Sequence, residues 1–321
     1  MMTTLPLVDP SLRPLLEIFP PIDVSPAGRD AARAIVIAME VEDHGAADGL
    51  DVTVTERHID GPQGPGSLRV LIVRPAQAGS APQGGLLHFH GGGYVIGRPE
   101  GNLPFLRATA AAQDCVIVTV DYRLAPEANW QDITEDAYAA LVWIAGAAAE
   151  LGIDPARIGV AGESAGGGLA AVTALIARDR GGPTLAFQHL LYPMLDDRTV
   201  TQSDPNPATG EFIWDRHNNL HGWTAWLGHA PGSPDTSPYA APARMADLAG
   251  LPPTWIGVGA LDLFLEEDMD YAARLIRAGV AVDFVVWPAA YHAFDISPDS
   301  AVATRANQDR QAAFARGFAR P

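Results

Sequence analysis

The sequence contains no lysine: every one of the 21 basic residues among its 321 is arginine. That absence excludes Schiff-base and pyridoxal-phosphate chemistry, the phosphate-loop and kinase lysines, and Ser–Lys dyads, all of which need a titratable amine. Positive charge is scarce altogether, with 38 acidic residues leaving a net charge of −17. Nucleic acids and anionic membranes are bound by clustered positive charge, so neither is an expected partner, and the acidity reads as a solubility feature. Cysteine is reduced to Cys115, which excludes a disulfide within the sequence and gives no sign of an oxidising compartment. It sits in the apolar run Cys115-Val116-Ile117-Val118 and reads as a buried thiol, not a nucleophile. No run is long and apolar enough for a membrane span, so no membrane insertion is expected. Residues 1–22, proline-interrupted and without a basic start, do not read as a signal peptide. The cytoplasm is the expected compartment.

What is present is a globular composition, 48% apolar and 18% charged, at a length that buries roughly 75% of the unfolded chain's surface. Residues 27–40 carry apolar positions at helical spacing. Residues 52–55 and 68–73 flank a Gly/Pro-rich stretch, 61–66, and read as a hairpin-like pair. Strands are then expected at 86–90, 116–120, 157–161, 187–191, 254–258 and 281–286. Helices are expected at 102–113, 133–151, 165–178, 264–278 and 300–318. Such alternation predicts an α/β fold, a single domain built on a mostly parallel sheet with helices on both faces. Residues 199–238 break the rhythm with Pro, Asn, Asp and Gly, and carry Phe212, Trp214, Trp223 and Trp226. An insertion of this length fits a functional lid, and its aromatics fit packing against the core equally well.

Two motifs carry chemistry. Gly162-Glu163-Ser164-Ala165-Gly166-Gly167 follows the apolar run Ile158-Gly159-Val160-Ala161 and precedes a helix-compatible segment. A strand–turn–helix with flanking glycines suits a nucleophile elbow, with the serine hydroxyl exposed where helix amides favour negative charge. A glycine-rich turn or phosphate cradle is the competing reading. His90-Gly91-Gly92-Gly93-Tyr94 follows the strand-like Leu86-Leu87-His88-Phe89 and offers bare backbone amides to a substrate oxygen. Gly91, Gly92 and Gly93, with Ala165 after the serine, are the candidate oxyanion donors, Gly91 being the weakest. His90 is expected to orient that loop, not to move protons.

These motifs, about seventy residues apart, resemble the hormone-sensitive lipase-like family of α/β-hydrolase esterases. Val120-Asp121-Tyr122-Arg123-Leu124-Ala125-Pro126-Glu127, followed by Asp136, and Tyr192-Pro193-Met194-Leu195-Asp196 resemble further family segments, so the likeness runs from about residue 50 to the end. The resemblance implies the α/β-hydrolase fold with a helical cap, formed here by about 1–45 and 200–235. It also implies cleavage of short- to medium-chain acyl esters through an acyl-enzyme, no cofactor, and pairing of two copies through a sheet edge. It directs the search for the acid to the end of the penultimate strand and for the histidine to the loop after the last strand. Asp262 follows Trp255-Ile256-Gly257-Val258-Gly259, and His292 follows Phe284-Val285-Val286-Trp287 by a short loop. The order Ser164, Asp262, His292 is that of the fold. Asp268, Asp270 and Asp295 compete for the acid's place and read as solvated charges.

Tyr94, Glu163, Phe212 and Trp214 are the expected substrate-binding residues. Departures from the family pattern bear on substrate preference: Glu163 for Asp, Asp262-Leu263-Phe264 for Asp-Pro-Leu, Ala293 for Gly, and Ala128-Asn129-Trp130-Gln131-Asp132 for a proline-containing stretch. The pairs His88/His90 and His217/His221 have metal-like spacing but no evident third ligand, so no metal is expected. Two other readings fit the motifs, amide cleavage by the same triad and a non-catalytic ligand receptor on the same fold.

Overall fold

β-Branched, apolar runs pack best on a pleated surface covered on both sides, and the segments expected as strands take that form. The computed structural model describes residues 3–39, 49–77, 79 and 81–319. In chain order these form α1 (Arg13–Ile18), α2 (Arg29–Met39), β1 (Val52–Gly61), β2 (Gly64–Pro75), β3 (Gln83–Phe89), α3 (Leu103–Gln113), β4 (Cys115–Asp121), α4 (Trp130–Gly146) and α5 (Ala148–Leu151). They continue as β5 (Ile153–Glu163), α6 (Ala165–Arg180), β6 (Phe187–Leu191), α7 (Arg216–Leu227), β7 (Thr254–Gly259), α8 (Leu265–Arg277), β8 (Val282–Trp287) and α9 (Ala301–Ala319). The last residue expected in the first long helix, Glu40, lies outside the described residues, as do residues 1–2 and 40–45 of the expected cap.

The sheet runs β1-β2-β4-β3-β5-β6-β7-β8. Only the β1–β2 and β2–β4 pairings are antiparallel; the rest are parallel. The expected hairpin is β1–β2, turning between Gly61 and Gly64. The helix expected over 133–151 is instead two, α4 and α5, broken at Ala147. It also starts earlier. The Asn129 side chain accepts from the Asp132 amide and Asp132 from the Asn129 amide, a reciprocal cap that fixes Trp130 as the first helical residue.

The insertion's aromatics divide. Trp223 and Trp226 are fully buried core residues, Trp226 stacked on Tyr94 at 3.9 Å and donating to the Ala240 carbonyl at 2.9 Å. The base of the insertion is fastened by buried Asp197, paired with Arg244 at 2.6 Å. The N-terminal segment is laid against it through Asn218, which accepts from the Val24 amide and donates to the Ile22 carbonyl, each at 3.0 Å. Arg33 on α2 reaches the carbonyls of Val95 and Ala125 and forks onto Glu127. Cys115 is buried, as expected. Among the described residues no helix is long and apolar enough to cross a membrane.

Candidate active site

The ends of four parallel strands converge here, as expected for an open α/β sheet. Between β5 and α6 the chain reverses at Ser164, which has φ 57° and ψ −121°. A side chain is strained there, and the flanking glycines are obligatory. A Cβ on Gly162 would lie 2.2 Å from the Gly166 carbonyl oxygen, and one on Gly166 2.1 Å from the Phe89 carbonyl oxygen. The reversal is held by the Ser164 amide donating to Leu191 O and by the Ser164 carbonyl accepting from Met194 N, each at 2.9 Å.

His292, in the loop after β8, faces the serine with Nε2 3.0 Å from Ser164 Oγ. Its Nδ1 lies 2.8 Å from Asp262 Oδ2, in the loop after β7. A carboxylate only accepts, so Nδ1 carries the proton and Nε2 is free to accept from the hydroxyl. The other Asp262 oxygen accepts from the Phe264 amide at 2.9 Å, so the carboxylate cannot swing away. All three side chains are buried. The sequence-predicted Ser164, Asp262 and His292 thus form one hydrogen-bonded line.

The triple-glycine loop lies against the elbow: a Cβ on Gly91 would sit 3.1 Å from the Glu163 carbonyl oxygen and 3.5 Å from Ser164 Cβ. Gly92 and Gly93 have φ of 118° and 59°. A Cβ on Gly92 would lie 2.1 Å from the Ile96 carbonyl oxygen, and one on Gly93 2.1 Å from the Trp214 ring. Ala165 opens α6, where helix amides have no partner within the helix. His90 stacks on Tyr122 at 4.1 Å, and its Nδ1 donates to the Gly91 carbonyl at 2.8 Å. Burial pulls its imidazole down to about 4, so it stays neutral near pH 7 and acts as a loop brace.

A cavity of about 230 Å³ opens onto Ser164. Its apolar wall comes from Phe19, Ile22 and Val36 of the N-terminal segment, Ile213 and Trp214 of the insertion, and Ile96 and Ile296. Trp214, expected here, is held by its Nε1 donating to Asn219 at 3.1 Å. Two expected wall residues are elsewhere. Tyr94 is buried between Trp223 and Trp226, its hydroxyl spent on the Met194 carbonyl, because φ 66° turns it from the cavity into the core. Phe212 packs on Tyr291 at 5.8 Å, and its neighbour Ile213 faces the cavity instead.

Glu163 borders the cavity, but its carboxylate is fully engaged. Oε2 accepts from His88 at 2.8 Å and Asn102 at 3.2 Å, and Oε1 from Arg310 at 2.6 Å. Burial works to raise its pKa, but His88 and Arg310 together hold the carboxyl below the usual range. The extra methylene relative to Asp fits this position, where one side chain meets three partners.

Two expectations about the rival acids are corrected. Asp295 is buried, accepting from the Tyr192 hydroxyl at 2.6 Å and Arg310 at 2.8 Å. Asp268 is buried on α8, where burial, then the charges of Glu267 and Asp262, raise its carboxyl well above the usual range. Asp270 is exposed, as expected. His88 donates into Glu163 and meets Thr119, while His217 faces Asp23 on the surface. Among the described residues no group of three or more potential ligands could hold a metal ion. Arg310 had no local sequence signal pointing to the site, and nothing in the sequence paired it with Glu163 and Asp295, since these partners are far apart in the chain.

Comparison with known proteins agrees with this fold. Residues 86–296 match the family described as α/β-hydrolase fold. The carboxylesterase NlhH of Mycobacterium tuberculosis is 35% identical, covering 90% of this chain and 89% of the relative. The esterase LipI of the same organism is 38% identical over 73% of this chain and 72% of its own. Among solved structures, a bacterial heroin esterase superposes with a TM-score of 0.90 at 38% identity, covering 98% of this chain and 99% of that one. Esterase LipW of Mycobacterium marinum gives 0.84 at 32%, covering 98% and 97%. With the family matched across most of the chain and the same fold shared end to end, the protein belongs to the hormone-sensitive lipase-like family of α/β-hydrolases.

Proposed function

We propose that the chain is a serine carboxylesterase that hydrolyses short- to medium-chain acyl esters through an acyl-enzyme. The observation that carries this reading is the line Asp262–His292–Ser164, at 2.8 and 3.0 Å, opening on an apolar cavity beside three consecutive glycines. The esterase names of relatives at 35 and 38% identity support the reaction class. Ser164 Oγ attacks the ester carbonyl carbon while His292 Nε2 takes its proton. The carbonyl oxygen, now negative, is received by amides of Gly92, Gly93 and Ala165, with Gly91 the weaker donor. The imidazolium, steadied by Asp262, protonates the departing alkoxide, leaving the acyl group on Ser164. Water, deprotonated by His292, repeats the sequence and releases the acid. No step requires a cofactor.

In the same reading, residues 1–45 and 200–235 act as the cap. Support comes from the cavity wall, to which both segments contribute. The small apolar cavity favours modest acyl groups. Across a nitrophenyl ester series from acetate to decanoate, kcat/KM is expected to peak at short or medium length and to fall towards decanoate. A maximum at decanoate would overturn the size assignment. Absence of burst or turnover with every ester would overturn the enzyme and leave the receptor reading. Anilide turnover rivalling that of the esters would favour amide cleavage.

The oxyanion assignment has its own test. In Gly92→Ala the new Cβ meets a backbone carbonyl and the φ of 118° disfavours any side chain, so the loop must shift. Losing one donor of this kind costs on the order of 100–1000-fold in kcat. A kcat within about threefold of the parent, from steady-state assays, would remove this loop from the mechanism. A cytoplasmic setting and pairing of two copies through an edge of the sheet belong to the same proposal, supported by the single-cysteine composition and by the family likeness respectively.

A further inference from the structure

We propose that Arg310 is a positioning residue, a buried clamp that holds the elbow carrying Ser164 and the loop carrying His292 in register through Glu163 and Asp295. The inference rests on Ser164 and His292 being nucleophile and base. Its observation is a different one, an ion-paired cluster behind the cavity.

Arg310 lies on α9 and is 2% exposed. Nη2 donates to Glu163 Oε1 at 2.6 Å, and Nη1 donates to Asp295 Oδ2 at 2.8 Å and Asn307 Oδ1 at 3.3 Å. The guanidinium lies over the Phe105 ring, Cζ 3.6 Å from its centre. Glu163 immediately precedes the serine, and Asp295 is three residues beyond the histidine. The two loops leave different strands, β5 and β8, which are separated in the sheet by β6 and β7. One planar group therefore spans what no sheet hydrogen bond joins.

The far side of the clamp also reaches the base. Asp295 accepts from the Tyr192 hydroxyl at 2.6 Å, and the Tyr192 ring packs 4.5 Å from the His292 imidazole. Asn307, also on α9, donates to the Asp295 carbonyl at 2.9 Å. Buried ion pairs give little net stability compared with apolar packing but fix geometry, because every alternative arrangement strands a charge. Arginine suits this position because its rigid fork serves two carboxylates at once, whereas a lysine ammonium is a point charge on a flexible stem.

The charged and titratable groups around His292 are Asp262 after β7, Asp268 on α8, Tyr192 after β6, Glu163 with its partner His88 at the elbow, Asp295 on its own loop, and Arg310. Removing the Arg310 cation leaves the negative charges of Asp295, which reaches His292 through Tyr192, and of Glu163, which precedes Ser164, with less compensation. That favours imidazolium and moves the acid limb of kcat/KM to higher pH. Asp295→Asn removes a negative charge and moves the limb the other way.

Arg310→Met, Arg310→Lys and Asp295→Asn are to be compared with the parent chain on nitrophenyl acetate, with kcat, KM, pH profile and Tm measured for each. Arg310→Met is expected to lose on the order of 100-fold in kcat with KM within about threefold, the pattern of misplaced reacting groups. Arg310→Lys is expected to restore the acid limb while recovering only part of kcat. If Arg310→Met does not fold, the Lys and Asn variants carry the test through their limbs, unshifted in one and lowered in the other. Parent kcat and pH limb in Arg310→Met, or a loss confined to Tm across the series, overturns the clamp. Labelling of the parent protein with a nitrophenyl phosphonate separates the two readings. A label on Ser164 with unaltered Arg310 variants sinks only the clamp, whereas no label on Ser164 sinks the nucleophile itself.

Discussion

Ser164→Ala is expected to lower kcat by on the order of 10⁴-fold or more while the protein stays folded. The expectation rests on one oxygen. The hydroxyl is the group that approaches His292 Nε2, at 3.0 Å, and the only other side-chain oxygens at the elbow, those of Glu163, are taken by His88, Asn102 and Arg310. The backbone hydrogen bonds that shape the turn, to Leu191 and from Met194, do not involve the side chain, so Ala should preserve the fold. Ser164→Gly sharpens the test. At φ 57° any Cβ is strained, and removing it should relieve about 1 kcal/mol, raising Tm as activity disappears. Steady-state assays with nitrophenyl acetate and thermal melts decide both. Activity in Ser164→Ala near that of the parent would require another nucleophile.

Asp262→Asn is expected to cost about 10⁴-fold in kcat with little change in KM, and the geometry gives the reason. Asp262 Oδ1 accepts from the Phe264 amide, a fixed donor, and Oδ2 accepts from His292 Nδ1. An asparagine placed here must keep its carbonyl oxygen towards Phe264, which turns its NH₂ group towards Nδ1. The imidazole then has to accept at Nδ1 and carry its proton on Nε2, where it can no longer take one from Ser164. Volume and burial barely change, so Tm should stay within a few degrees. Activity should partly recover at high pH, where hydroxide or the serine alkoxide no longer needs the base. A loss of less than tenfold would transfer the orienting role elsewhere, and buried Asp268 would be the first residue to try.

The motifs were legible because their chemistry is local. A nucleophile elbow needs glycines on both sides of the serine within one turn, and a backbone oxyanion cradle needs adjacent residues without side chains. In the proposed function both requirements fall to neighbours in the chain. The alternation of β-branched runs with helical ones likewise exposed the α/β architecture, because each element's period follows from its own sequence. Element ends were less legible. The start of α4 was set by the Asn129–Asp132 cap, two residues whose pairing overrides the apolar rhythm behind them.

The sequence by itself determined the fold class and the glycine-framed serine, since these depend on spacing along one chain, and its family resemblance pointed to Asp262 and His292 as the proposed acid and base. Only the tertiary structure decided which side chains meet across elements. It sent Tyr94, expected in the cavity wall, into the core against Trp226, because a positive φ and a packed neighbour, not hydropathy, set the direction of its ring. It turned Asp295 from an apparent surface charge into a buried acceptor, because Arg310 arrives from a helix that begins beyond it. Pairings of that kind depend on where strands and helices end in space, and no periodicity within a single segment encodes them.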